Sequence, residues 1–97
     1  MTKYLIEIKE YAIDDLYEIY HYISKNSLYY ANLTIRKIEQ TINRLSYFPY
    51  IGRKIPELNK EDFLEIIYKN YRIMYKVESD NKILVLRILH SARKFQI

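Results

Sequence analysis

Hydrophobic and polar positions alternate from Thr2 to Lys9, with Tyr4, Ile6 and Ile8 on one side and Lys3, Leu5, Glu7 and Lys9 on the other. That period of two predicts a half-buried strand. From Tyr11 the period lengthens. Ala12, Leu16, Ile19 and Ile23 form one helical stripe, while Asp14, Glu18 and His21 face away. Asp14 and Asp15 are expected in the first turn and Lys25 in the last, the placement a helix dipole favours. Asn26-Ser27 interrupts the pattern, and Ser27 is suited to cap a second helix. Ala31, Ile35, Ile38, Ile42 and Leu45 carry that helix, and the short connection predicts an antiparallel hairpin.

Residues 47–58 hold the sole glycine, Gly52, and both prolines, Pro49 and Pro56. The segment is expected to be a structured loop through which neither helix nor strand runs. Strands are predicted over Phe63–Tyr68 and from Tyr71 to Val77, separated by a Lys69-Asn70 turn. A turn at 79–82 leads to the most apolar run, which begins at Ile83 and ends in Arg87, His90 and Arg93. Strict alternation there puts Leu84, Leu86 and Ile88 on one face and Ile83, Val85, Arg87 and Leu89 on the other. The order predicts an α+β fold: an N-terminal strand, an antiparallel helical hairpin and a three-stranded antiparallel meander, with the hairpin on one sheet face.

At 97 residues the chain suits a single domain, 1–97. The absence of cysteine excludes disulfides and thiolate metal sites, and two histidines are too few to suggest zinc, so no metal or cofactor is expected. No apolar run approaches the roughly 18 residues that span a bilayer, and the amino terminus lacks a signal-peptide pattern, so a cytoplasmic location without membrane contact is expected. The net charge of +4 is lopsided: residues 1–49 carry six Lys/Arg against six Asp/Glu, residues 50–97 ten against six. A basic second half favours an acidic partner, nucleic acid or an acidic protein, with a solubilising surface charge as the plainer reading. Twelve tyrosines and no tryptophan are read first as core-edge packing, then as interface. Tyr11, Tyr17, Tyr20 and Tyr22 flank the first helical stripe and take the packing reading.

Four motifs, in order, resemble the RelE/ParE superfamily of bacterial type II toxins, the plasmid-stabilisation proteins. They are Ala12-x-x-Asp15-Leu16-x-x-Ile19-x-x-Tyr22-Ile23, Leu45-x-x-x-Pro49-x-x-Gly52-Arg53-x-x-Pro56-Glu57, Tyr71-Arg72-Ile73-x-Tyr75-x-Val77, and Leu86-Arg87-Ile88-Leu89-His90-Ser91-Ala92-Arg93. The Gly-Arg…Pro-Glu loop and the His-x-x-Arg ending are more similar to the ParE branch. That resemblance implies a growth-inhibiting toxin acting on DNA gyrase by protein–protein contact and neutralised by a cognate antitoxin in a toxin–antitoxin hetero-oligomer. The RelE branch implies instead a ribosome-dependent mRNA endonuclease, and a degenerate toxin that keeps only antitoxin binding is the third reading.

Under the first reading the target contacts are Arg53, Arg72, Arg87, His90, Arg93 and Lys94, and the antitoxin contacts are Tyr17, Tyr20, Arg72 and Arg87. Under the second, RNA cleavage through the 2′-hydroxyl needs a base, an acid and cations for the phosphorane. Glu57, Arg72, His90 and Arg93 are the nominees, while Phe95 stands in the tail where a proton-transferring group would be wanted, and a phenyl ring moves no proton. Each has a plainer reading. Arg53 and Glu57 brace their loop by an ion pair; Arg72 lies on a solvated strand face; Arg87 needs a partner to be buried; His90 is structural; Arg93 and Lys94 form a solubilising tail.

Overall fold

The computed structural model describes residues 2–91. Its elements are β1 (Leu5–Ile8), α1 (Glu10–Ser24), α2 (Leu28–Arg44), β2 (Arg53–Lys54), β3 (Phe63–Tyr68), β4 (Tyr71–Glu78) and β5 (Lys82–His90). The α+β class and the expected order hold. β3, β4 and β5 form the antiparallel meander. The sheet is nonetheless mixed: its order is β1-β5-β4-β3-β2, and β1 runs parallel to β5, with Leu5 opposite Lys82 and Ile8 opposite Val85. Periodicity carries no information on direction, so this pairing was not visible in the pattern.

The hairpin covers one sheet face. Ser27 caps α2 as expected, its Oγ accepting the Tyr30 N–H at 3.1 Å. Ile38 and Ile42 are buried with Ala12, Ile73, Val85 and Ile88, and Leu16, Ile19, Ile6 and Ile8 pack around them. Leu45, Leu64, Tyr75, Val77 and Ile83 continue that core toward the other end. Burying a large aliphatic side chain contributes about 1.5–3 kcal/mol, so the stripe Ala31–Ile38–Ile42–Leu45 fixes the hairpin against the sheet.

Three expectations are corrected. First, a strand does run through the 47–58 segment: Arg53 and Lys54 pair with Glu65 and Leu64 as a two-residue edge strand. Gly52 permits it, because a Cβ there would lie 2.6 Å from the Glu65 carbonyl oxygen. Its N–H donates to the Tyr75 hydroxyl at 3.0 Å, tying the loop to the core. Second, the alternation of β5 breaks. Met74 faces Arg87 but Tyr75 faces Val85, so Leu86 is an extra residue, a bulge. Ile83, Val85 and then Ile88 therefore enter the helix-side core, against the face assigned by strict alternation.

Third, α1 begins at Glu10, which moves Asp14 and Asp15 into its second turn. Asp15 is buried, and its carboxylate accepts the Ile88 N–H at 2.8 Å and Arg87 Nε and Nη2 at 2.8 and 3.0 Å. It pins the helix to the strand just beyond the bulge, rather than serving the helix dipole. The tyrosines depart from expectation too. Tyr11, Tyr17 and Tyr22 are 63–72% exposed, as are Tyr29, Tyr30, Tyr47 and Tyr50 to similar or lesser degree, because among the described residues no element packs over their helix faces and loops. Among the described residues no helix is long and apolar enough to cross a membrane.

Candidate functional site: a charged cleft on the face away from the helices

Among the described residues the opposite sheet face carries a small apolar patch, Ile55, Met74 and Leu89, with Leu58 and Phe63 beside it. Next to that patch the alternate residues of β3 and β4 are ionic. Glu65, buried to 1% exposure, projects from β3 between two guanidiniums. Its Oε2 accepts from Arg53 Nε at 2.9 Å and Nη2 at 2.8 Å. Its Oε1 accepts from Arg72 Nε at 2.8 Å and Nη2 at 2.7 Å. Arg72 turns its remaining edge to Glu57, donating from Nη1 at 2.8 Å and Nη2 at 2.6 Å to the two carboxylate oxygens.

Arg72, expected on a solvated strand face, is therefore buried, since the loop bearing Glu57 closes over it. The Arg53–Glu57 brace is also replaced: each residue pairs across to the sheet, Arg53 with Glu65 and Glu57 with Arg72. Hydrogen bonds donated to Glu57, then those to Glu65, hold the Arg72 guanidinium further above its already high ordinary value, outweighing burial. Its charge is permanent at any working pH. Lys54 turns away to Glu61 at 2.8 Å.

These residues wall an open cleft of about 460 Å³ lined by Arg53, Pro56, Glu57, Ile67, Arg72 and Ser91. Ser91 enters it because its N–H donates to the Asn70 carbonyl at 2.6 Å, holding the chain at the end of β5 against the β3–β4 turn. His90 is exposed and makes an edge-to-face contact with Tyr71, centroids 6.0 Å apart. Burial raises the Tyr71 hydroxyl above its ordinary value, with a smaller contribution from Tyr22. Arg93 and Lys94, and Phe95 with them, lie outside the described residues.

The candidates thus fall into separate places. Arg53, Glu57 and Arg72 share the cleft. Arg87 stands on the helix side, held by Asp15, with its guanidinium carbon 5.8 Å from the Tyr11 ring centroid. Tyr17 and Tyr20 line a second, largely apolar groove of about 350 Å³ along the hairpin, with Ile13, Leu16, Ile35 and Glu39. Two residues of consequence were not singled out from sequence: Glu65 and Ile67. The signal for Glu65 was an acid inside the run Phe63-Leu64-Glu65-Ile66-Ile67, where a charge is costly without partners. Among the described residues no group of His, Asp or Glu could hold a metal ion.

A helical hairpin on one face of a small mixed sheet and an ionic cleft on the other make the architecture of the superfamily to which the four motifs pointed. The family model described as the ParE toxin of the type II toxin–antitoxin system, parDE, matches residues 6–95, and the chain belongs to that family. Two solved structures are similar in fold. The chromosomal ParDE toxin–antitoxin system of P. aeruginosa aligns with a TM-score of 0.74 at 19% identity, covering 91% of this chain and 96% of that one. The toxin–antitoxin complex RelBE2 of Mycobacterium tuberculosis aligns at 0.70 with 17% identity, covering 92% and 99%. No curated protein matches the sequence closely enough to count as a relative.

Proposed function

We propose that this toxin inhibits DNA gyrase by protein–protein contact through the cleft and is neutralised by an antitoxin seated along the helical hairpin. One observation carries the choice of a contact mechanism over RNA cleavage. Glu57, nominated with His90 for the acid–base roles, has both oxygens engaged by Arg72. A base must offer a lone pair to the hydroxyl it deprotonates, and two of the four acceptor sites of Glu57 are already taken by a permanently charged guanidinium. Among the described residues the cleft carries no surplus positive charge, since Arg53 and Arg72 are matched by Glu57 and Glu65, whereas binding of a phosphate backbone draws on unneutralised cations.

The antitoxin assignment rests on the apolar groove lined by Ile13, Leu16, Tyr17, Tyr20 and Ile35. An amphipathic segment would lay its apolar side chains there and order as it binds. Purified toxin is assayed against gyrase supercoiling and, separately, against mRNA on programmed ribosomes. Inhibited supercoiling with intact transcripts is the expected result. Site-specific transcript cleavage with gyrase unaffected would overturn the reading. Ile13→Asp with Tyr17→Ser is expected to abolish antitoxin binding while leaving gyrase inhibition; retained antitoxin affinity would remove the groove from the proposal.

A further inference from the structure

Glu65 treats its two arginines unequally. Arg72 is enclosed, with 8% of its side chain exposed, and both of its forked edges are spent on Glu65 and Glu57. Arg53 gives Glu65 only the edge formed by Nε and Nη2, and both atoms reach the same oxygen. Its side chain remains 66% exposed at the mouth of the cleft. Among the described residues nothing accepts from its Nη1. Here one side of the guanidinium is clamped and the other is presented.

We infer that Glu65 is a positioning residue which holds Arg53 by one edge so that its free Nη1/Nη2 fork receives a carboxylate from a partner protein. This rests on the contact reading above for the identity of the partner, but the site itself belongs to the toxin alone. The ligand class follows from the surroundings. A planar monoanion matches the free fork with two parallel N–H···O bonds. Glu57 lines the cleft and Glu65 underlies it, so among the described residues the site's formal charge is balanced and a dianion would meet repulsion without repayment. Ile67, 44% exposed, and Pro56 give the same cleft an apolar wall. That combination suits an acidic side chain with an aliphatic neighbour better than a nucleic-acid backbone.

The test uses the full chain and the Nε–H resonances of its arginines, followed by NMR during titration with sodium acetate, inorganic phosphate or sodium chloride at matched ionic strength. Arg53 Nε–H is expected to be protected in the wild type and to shift saturably with acetate, less with phosphate, and not with chloride. Glu65→Gln should lose that protection and weaken the acetate response by roughly tenfold, about 1.4 kcal/mol. Arg53→Lys keeps the charge without the fork, and should lose the response with the fold intact by circular dichroism, which covers the case of a Glu65 variant that fails to fold. In gyrase inhibition, Glu65→Gln should have no further effect once Arg53 is alanine, because the carboxylate acts through that guanidinium. Phosphate outcompeting acetate, an acetate shift no larger than chloride's, or an unchanged Arg53 signal in Glu65→Gln would overturn the assignment. Acetate binding as expected alongside a failure to inhibit gyrase would instead sustain the site and overturn the choice of target.

Discussion

Asp15 and Glu65 are both carboxylates with almost no exposed surface, one on each side of the sheet, yet they are used differently. Asp15 accepts a backbone N–H from Ile88 as well as the Arg87 guanidinium, and it joins a helix to a strand. Among the described residues Glu65 has no backbone donor; it joins β3 to a strand on each side through two side chains, one of which stands in solvent. A buried acid that satisfies the backbone holds the fold together. A buried acid that satisfies only side chains can also set the direction in which one of them points.

The largest expected effect breaks the first of the pair. Asp15→Ala leaves the Ile88 N–H and Arg87 without their acceptor, and should cost about 3–5 kcal/mol of unfolding free energy in urea titrations. Glu65→Gln should cost less, about 1.5–3 kcal/mol, because Arg72 keeps Glu57 and Arg53 returns to water. Equal losses in the two variants would erase the distinction drawn between them.

Tyr75→Phe probes the link between the faces. Its ring lies in the helix-side core while its hydroxyl accepts the Gly52 N–H, so the variant should lose about 1–3 kcal/mol and loosen the loop that carries Arg53. Faster hydrogen exchange at Gly52 would report the loosening, and unchanged exchange would count against it.

The smallest effect concerns a surface pair. Hydrogen bonds from Lys82, then Lys9, lower the Glu7 carboxyl from an ordinary 4.5 to about 2. A group depressed on folding contributes its stability above the unfolded value, and loses it as the pH falls from about 4.5 toward about 2. Glu7→Gln should therefore flatten the acid limb of the stability profile in that window, and salt should shrink the difference, since the carboxylate is exposed.

The fold was legible because the stripe Ala31, Ile35, Ile38, Ile42, Leu45 and the alternation Tyr71, Ile73, Tyr75, Val77 each declare a period and a buried side. Three features lacked such a declaration. β2 is too short to show a period, the Leu86 bulge resets one without any special residue, and the β1–β5 pairing joins segments far apart in sequence. The cleft was half legible. Arg53, Glu57 and Arg72 were marked by charge in a loop and on a strand, but their partners depend on which loop folds over which face. The helix-dipole reading of Asp15 fails because a start at Glu10 instead of Tyr11 is enough to carry it past the first turn and into a buried place.

The parallel pairing of β1 with β5 also imposes an order of events on folding. Leu5 leaves the ribosome well before its strand partner Lys82, which belongs to the last of the described strands to be made. The hairpin of α1 and α2 is local and can form early, but the sheet edge it packs on has to wait for β5. Contacts between such distant segments slow folding, because the chain between them must be closed into a loop before the pairing gains anything. A nascent toxin therefore spends part of its synthesis with Ile6 and Ile8 lacking their sheet partner, and that interval is when a binding partner could capture the chain before it is fully assembled.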